Sequence, residues 1–203
     1  MISAAVAFAL GYFLAPKGTE KVLPPTVESF IWPPLKLEPF ELLRATDVTF
    51  DENTLDHHWT LLFFGYTHCP DICPTTMATL AAVNKRLGSG YSFQNKPQVL
   101  FVSVDPDRDK PPLLKQYKDA LDPSFIAASA NQEQLHRLVR QFGSQTVKIS
   151  SNDPEQYWYD HPATIALIAP DRTLTGMFLP PLSPDDISYQ VETIAQWFEG
   201  PGS

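Results

Sequence analysis

Residues 63–74 read FFGYTHCPDICP, and they contain both cysteines of this 203-residue chain. The apolar run before Gly65 predicts a buried strand, and Pro74 suits the first position of a helix, where a missing N–H costs no hydrogen bond. Cys69 and Cys73 are therefore expected at a strand-to-helix corner, near the positive end of a helix dipole. This location lowers the pKa of a thiol, so the sequence predicts thiolates that attack disulfides or bind metal ions.

The spacing of the two cysteines leaves three interpretations open. Residues four apart on a helix have Cβ atoms about 5–6 Å apart, whereas a disulfide needs about 3.5–4.5 Å. A corner that is only partly helical reaches either distance with a small shift. The pair can hold one soft metal ion, oxidise to a disulfide, or serve as two buried structural residues. Pro70 and Pro74, which frame the start of the helix, favour the first two interpretations.

The composition is that of one globular domain with short extensions, since 43% of the residues are hydrophobic and 19% are charged. The net charge of −8 argues against nucleic acid as a partner, because phosphate binding needs a basic surface. Two cysteines so close in sequence also exclude a small fold that is held together by disulfides.

Residues 1–15 are predicted to be a membrane anchor, shortened at its N-terminal end. Residues 2–15 carry no charge, but a spanning helix needs about 20 apolar residues. The run lacks the basic start and the cleavage site of a signal peptide. The alternative is an apolar tail that packs on the domain. Residues 16–36 are rich in proline and are predicted to be an extended tether.

The remaining pattern predicts an α/β domain over residues 37–199, followed by a tail over residues 200–203. Two segments, 49–58 and 144–156, are polar and are predicted to be turns or irregular chain. The predicted strands cover residues 59–64, 99–104, 164–168 and 174–178, with a further short strand within 35–43. The predicted helices cover residues 74–87, 111–121, 131–142 and 184–198.

Residues 105–109 read DPDRD and follow a predicted buried strand. They lie at the carboxyl end of that strand, where open α/β sheets place their sites. The spacing of the aspartates is similar to the start of a calcium loop, but Lys110 and Gln116 replace the required glycine and glutamate. We expect Asp109 to cap the next helix, and we expect the loop to orient the cysteine corner or to contact a partner.

The histidines differ in what their positions indicate. His57 and His58 are adjacent, and neighbouring side chains point apart, so they indicate a solvated turn rather than a metal site. His68 is expected to point away from Cys69, and we interpret it as tuning the site or docking a partner. His161 by itself indicates a hydrogen-bonded loop residue, although it precedes a strand that is expected to lie beside the cysteine corner.

Four motifs together resemble the SCO/SenC family, thioredoxin-fold copper proteins that help to assemble cytochrome c oxidase. Residues 65–74, GYTHCPDICP, match the family signature nearly residue for residue. Residues 101–109, FVSVDPDRD, match a second motif, and Asp160-His161 match a third. Pro170-Asp171 is a weaker fourth match. The resemblance covers about residues 37–198 and implies a thioredoxin-like sandwich, with a central mixed β-sheet flanked by helices.

The resemblance implies that Cys69, Cys73 and His161 bind one copper ion. The chemistry agrees, since soft thiolates select Cu(I) and imidazole binds both Cu(I) and Cu(II). Zinc is less favoured because its structural sites use four ligands, although a zinc site completed by water stays open. Pro162 replaces the small polar residue that usually follows the histidine, and we predict a cis His161–Pro162 bond.

The implied function is a copper metallochaperone that delivers copper to, or prepares, the copper centre of cytochrome c oxidase subunit II. The alternative is a thiol–disulfide oxidoreductase, or a redox or copper sensor, in which Cys69 and Cys73 are the redox pair. A thioredoxin-like reductant is a further expected partner. The expected location is the bacterial inner membrane, with the domain facing the periplasm. The mitochondrial inner membrane facing the intermembrane space is the alternative, but no arginine-rich transit peptide is visible.

Overall fold

The computed structural model describes residues 27–88, 96–153, 156–161 and 163–199. The predicted anchor over residues 1–15 and the predicted tail over residues 200–203 lie outside these ranges. Pro162 also lies outside them, and with it the predicted cis His161–Pro162 bond. Within the described ranges, the structure contains no helix that is both long enough and apolar enough to cross a membrane.

The described chain contains ten strands, four α-helices and a short 3-10 helix at Glu52–Leu55. The strands are β1 (Phe30–Lys36), β2 (Glu41–Arg44), β3 (Thr49–Asp51), β4 (Thr60–Gly65), β5 (Gln98–Ser103), β6 (Ile126–Ser129), β7 (Val147–Ser150), β8 (Tyr157–Asp160), β9 (Ile165–Ile168) and β10 (Thr173–Phe178). The helices are α1 (Ile72–Leu87), α2 (Pro111–Leu121), α3 (Gln132–Gln141) and α4 (Pro184–Glu199).

Eight of the strands form one mixed sheet in the order β1-β10-β9-β4-β5-β6-β2-β3. Strands β4, β5 and β6 run parallel, and β9 pairs antiparallel with β4 on the other side. Strands β7 and β8 form a separate antiparallel hairpin. This arrangement confirms the predicted mixed sheet and places the hairpin outside it.

The centre of the sheet is the most deeply buried part of the domain. Every residue of β4 is buried, as expected for a central strand that is covered on both faces of the sheet. Phe63 of β4 and Phe101 of β5 are fully buried, and their ring centroids lie 6.2 Å apart. The strand that leads to Cys69 is therefore fixed by the core before the chain turns.

The sheet begins earlier than the sequence predicts. A tether is predicted over residues 16–36, whereas the structure places Phe30–Lys36 in the sheet as β1, antiparallel to β10. Phe30 and Trp32 also pack against Trp197 of the last helix. The aromatic side chains of this proline-rich segment therefore pack it against the rest of the domain.

Four further strands lie where the sequence predicts no strand. The predicted polar turn over residues 49–58 contains β3 and the 3-10 helix, in which Phe50 and Leu55 are fully buried among polar neighbours. The predicted irregular segment over residues 144–156 contains β7, whose residues are all exposed. Strands β6 and β8 lie where no element is predicted from the sequence, and each is only four residues long. With three or four residues each, these strands are at or below the shortest length at which alternation indicates a strand, which explains why they were missed.

Candidate metal centre

The corner after β4 carries both cysteines on a short loop and the first turn of α1. The helix begins at Ile72 rather than at the predicted Pro74, so Cys73 lies within its first turn. The backbone N–H of Cys69 donates to the carbonyl of Tyr66 at 3.2 Å. The backbone N–H of Cys73 donates to the Sγ of Cys69 at 3.4 Å, which keeps the first sulfur close to the helix start.

His161 reaches this corner because of the pairing between β9 and β4. The two strands are antiparallel and Ile165 pairs with Phe63, so the start of β9 lies beside the end of β4. The Nε2 of His161 lies 3.2 Å from the Sγ of Cys73. The imidazole also meets the rings of Phe63 and Tyr66 edge-on, with centroid distances of 5.9 and 5.6 Å.

Cys69, Cys73 and His161 each offer one ligand atom, and these atoms all lie within 4.8 Å of one another. In the described ranges this is the one group of at least three His, Cys, Asp or Glu side chains that is placed to hold a metal ion. Both thiols are free. Bonds from a metal ion to sulfur are about 2.3 Å long, so a single ion fits among the three atoms with little movement.

The structure overturns the predicted lowering of the thiol pKa at Cys73. The side chain is fully buried, and this burial raises the pKa of the Cys73 thiol far above its usual range. Desolvation outweighs the helix dipole here because the sulfur is fully buried, close to Gly65 and Phe101. In the metal-free protein Cys73 is therefore a thiol, and a metal ion has to displace its proton.

Asp109 holds the cysteine loop, and the prediction that it caps α2 is wrong. The helix N-cap is Lys110, without a side-chain hydrogen bond to the helix. Asp109 is instead buried, and its carboxylate accepts three hydrogen bonds. The backbone N–H and the Oγ1 of Thr67 donate at 2.8 and 2.6 Å, and the Oγ of Ser103 donates at 2.5 Å. The predicted orienting role of this loop is thereby confirmed for Asp109.

The other histidines that the sequence singles out lie outside the three-ligand group. His68 is about half exposed, and its Nδ1 lies 3.0 Å from the Oγ1 of Thr67 and 3.7 Å from a carboxylate oxygen of Asp109. His57 and His58 are exposed, as expected for a solvated turn. The contacts of Phe63 and Tyr66 with His161 were not predicted from the sequence. The aromatic residues that precede Cys69 in the motif could have indicated them.

Comparison with known proteins identifies the family. A sequence model described as SCO1/SenC matches residues 33–196. The chain belongs to the SCO1/SenC family. A protein of Stutzerimonas stutzeri that carries the provisional name copper-binding protein is 35% identical over 147 residues, which are 72% of this chain and 71% of that protein.

Two further SCO relatives extend the comparison. A SCO2-like protein of Rickettsia prowazekii is 35% identical over 133 residues, which are 64% of this chain and 62% of that protein. The chain therefore spans less than two thirds of its length. The structure also resembles the crystal structure of Arabidopsis thaliana ScoI with copper bound, with a TM-score of 0.72. The two sequences are 26% identical, and the match covers 78% of this chain and 97% of that chain. This likeness confirms the predicted thioredoxin-like fold.

In this SCO1/SenC domain, replacing Asp109 with asparagine is expected to destabilise the cysteine loop. An asparagine amide carries no negative charge, so the three charge-assisted hydrogen bonds become weaker neutral ones, and one hydroxyl has to turn from donor to acceptor to meet the amide N–H. Hydrogen bonds to charged groups contribute about 1.5–3 kcal/mol each. We expect the free energy of unfolding to fall by about 2–3 kcal/mol in urea titrations. An unchanged midpoint would contradict the holding role of Asp109.

Proposed function

We propose that this protein is a copper metallochaperone that binds one copper ion through Cys69, Cys73 and His161. The observation that carries the proposal is the convergence of their three ligand atoms within 4.8 Å. Two thiolates and an imidazole form a donor set that suits Cu(I), and they fall one short of the four ligands of a structural zinc site. The copper-bound ScoI relative supports the choice of metal.

The burial of the ligands suits a site that gives up its metal. Cys73 is fully buried, Cys69 is 8% exposed and His161 is partly buried, so the metal position lies just below the surface. Pro70 and Asp71 beside the first ligand are exposed. An acceptor can therefore approach from the side of Cys69 and replace the ligands one at a time, whereas Cys73 stays held in the core.

The acceptor that we propose is the copper centre of cytochrome c oxidase subunit II. Members of the SCO family are copper-binding proteins in the assembly of that enzyme, and this chain belongs to the family. The proposed location is the bacterial inner membrane with the domain facing the periplasm, or the corresponding intermembrane side in mitochondria. Residues 1–15 are the proposed anchor, because they carry no charge.

Copper loading would depend on the redox state of the two cysteines. Oxidation by an external disulfide transfers two electrons and two protons from the thiols, forms the Cys69–Cys73 bond and removes both thiolate ligands. The two sulfurs lie within 4.8 Å of each other, so this bond requires only a local shift. A thioredoxin-like dithiol is the proposed partner that returns two electrons and two protons and restores the ligands.

A second candidate function is thiol–disulfide exchange, with redox or copper sensing as a variant of it. The difference in exposure between the cysteines favours this candidate, because Cys69 is 8% exposed and Cys73 is fully buried. An attacking thiol must be accessible, so Cys69 would attack and Cys73 would resolve the mixed disulfide. The metal-binding candidate ranks first because all three ligand atoms converge on one position, whereas exchange requires only the two sulfurs.

Copper titration of the reduced and the oxidised protein tests the proposed function. We expect the reduced chain to hold one Cu(I) against the competing chelator bathocuproine disulfonate, and the oxidised chain to hold none. The matched control is the double variant Cys69→Ser with Cys73→Ser, which keeps the shape of the site and removes both thiolates. A reduced wild-type protein that loses all copper to the chelator would show the proposed function to be wrong.

A further inference from the structure

The two halves of the proposed metal site come from distant parts of the chain, and one loop contacts both. Residues 105–109 follow β5 and end at Asp109, which holds the cysteine loop through Thr67. The other half is His161, which follows the β7–β8 hairpin. The pairing of β9 with β4 brings His161 near the corner, but the hairpin itself is not part of the main sheet, so contacts outside that sheet hold the hairpin in place.

Arg108 binds the hairpin at Tyr157, the first residue of β8. Its Nη1 donates to the Tyr157 carbonyl at 3.2 Å, and its guanidinium carbon lies 3.8 Å from the centroid of the Tyr157 ring. Its Nε forms a charge-assisted hydrogen bond with Asp105. The hydroxyl of Tyr157 donates to Asp105 at 3.0 Å, so the three side chains form a closed triangle.

The burial of Asp105 makes this triangle hard to break. Its side chain is fully buried, and a buried carboxylate is costly unless charged and hydrogen-bonding partners surround it. Arg108 and Tyr157 supply both kinds of partner, one at each carboxylate oxygen. Removing the guanidinium therefore leaves a buried charge without its counter-ion, and it also removes the bond to the Tyr157 carbonyl.

A second contact joins the same loop to β7. The Nζ of Lys148 lies 3.5 Å from a carboxylate oxygen of Asp107 and 3.7 Å from the centroid of the Tyr157 ring. Tyr157 is thus in contact with two cations, one from the loop and one from β7. This pair is more exposed than the triangle, so it contributes less to the position of the hairpin.

We propose that Arg108 is a positioning residue for His161. By fixing Tyr157, it holds the β7–β8 hairpin so that the imidazole meets the cysteine pair. The inference rests on the proposed copper site and deepens it. Residues 105–109 then have two functions in the proposed metal site. Asp109 positions the cysteine loop, and Arg108 positions His161.

The test is a double-mutant cycle on Cu(I) affinity with Arg108→Gln and His161→Ala. We expect Arg108→Gln to weaken binding by about 10–100-fold, the usual effect of losing a residue that orients a ligand. In the His161→Ala background it should weaken binding no further, since the ligand that it positions is already absent. Asp109→Asn should weaken binding in both backgrounds. The matched control is Arg137→Gln, which removes an arginine from an exposed ion pair with Glu133.

The inference is overturned if Arg108→Gln leaves the wild-type affinity unchanged, or if it weakens both backgrounds equally. Arg108→Lys should recover part of the loss, because it restores the charge beside Asp105 without the second hydrogen bond. If Arg108→Gln fails to fold, Tyr157→Phe replaces it. That variant keeps the ring but loses the hydrogen bond from the hydroxyl to Asp105. We therefore expect a smaller loss of Cu(I) affinity than in Arg108→Gln, and only when His161 is present.

NMR of the metal-free protein tests the positioning role without copper. Proton contacts between the His161 imidazole and the rings of Phe63 and Tyr66 are expected in the wild type and in Arg137→Gln. They should weaken or disappear in Arg108→Gln. If the wild type holds no copper but this pattern is found, the proposed function fails and the positioning role stands. Unchanged ring contacts in Arg108→Gln would overturn the positioning role itself.

Discussion

Replacing His161 with alanine is expected to weaken Cu(I) binding by more than about 100-fold, since losing only a residue that orients a ligand already costs about 10–100-fold. The variant keeps both thiols, and its fold should be retained because the imidazole is only partly buried. Competition with bathocuproine disulfonate, followed by absorbance of the copper–chelator complex, gives the affinity directly.

The same variant separates the two candidate functions. Exchange between the cysteine pair and a small disulfide should proceed in His161→Ala at a rate close to that of the wild type, because both sulfurs remain. The control is His136→Ala, which removes an exposed histidine from α3. Equal copper affinity in His161→Ala, His136→Ala and the wild type would exclude the three-ligand site and leave the cysteines as a redox pair.

Replacing Gly65 with alanine is expected to lower both the stability and the copper affinity. A Cβ at this position would lie 2.8 Å from the Sγ of Cys73 and 2.9 Å from the Cε2 of Phe101. Both neighbours are fully buried, so neither can move away freely. Overpacking of this kind costs about 1–3 kcal/mol. We expect a loss near 3 kcal/mol, which corresponds to a fall in melting temperature of about 6–12 °C.

Thermal unfolding by circular dichroism measures the first effect, and copper competition measures the second. The matched control is Gly88→Ala at the end of α1, where φ is −83°. A Cβ there would lie 3.3 Å from the carbonyl oxygen of Asn84 and 3.3 Å from the flexible end of Lys96, so it meets no atom as closely as at Gly65. This control should melt close to the wild type. If Gly65→Ala also has a melting temperature close to that of the wild type and binds copper with normal affinity, the corner has more room around Cys73 than the distances indicate.

Much of the fold could be predicted because its central strands are long and apolar. Strands β4, β5, β9 and β10 and all four helices lie within a few residues of their predicted positions. The short strands could not be predicted. Strand β3 has three residues and β7 has four, so the alternation of apolar and polar residues in each is too short to indicate a strand.

The residues of the candidate site could be predicted, but their environment could not. Motif resemblance selects Cys69, Cys73 and His161, and the pairing of β4 with β9 brings them together. The raised pKa of Cys73 depends on burial by residues from other strands. The role of Asp109 depends equally on tertiary structure. Its position just before α2 predicts a helix cap, whereas in the fold its carboxylate accepts three hydrogen bonds from Thr67 and Ser103.

Strand β1 bears on whether molecules of this protein associate through the edges of their sheets. It is the terminal strand of the sheet on one side, and Pro33 and Pro34 lie in its middle. An edge strand with free backbone groups can pair with the same edge of another molecule and start aggregation. Proline has no N–H, and successive N–H groups of a strand point to opposite sides, so one of the two prolines removes a donor from the open edge. We therefore expect this edge to pair less readily with another molecule at high local concentration.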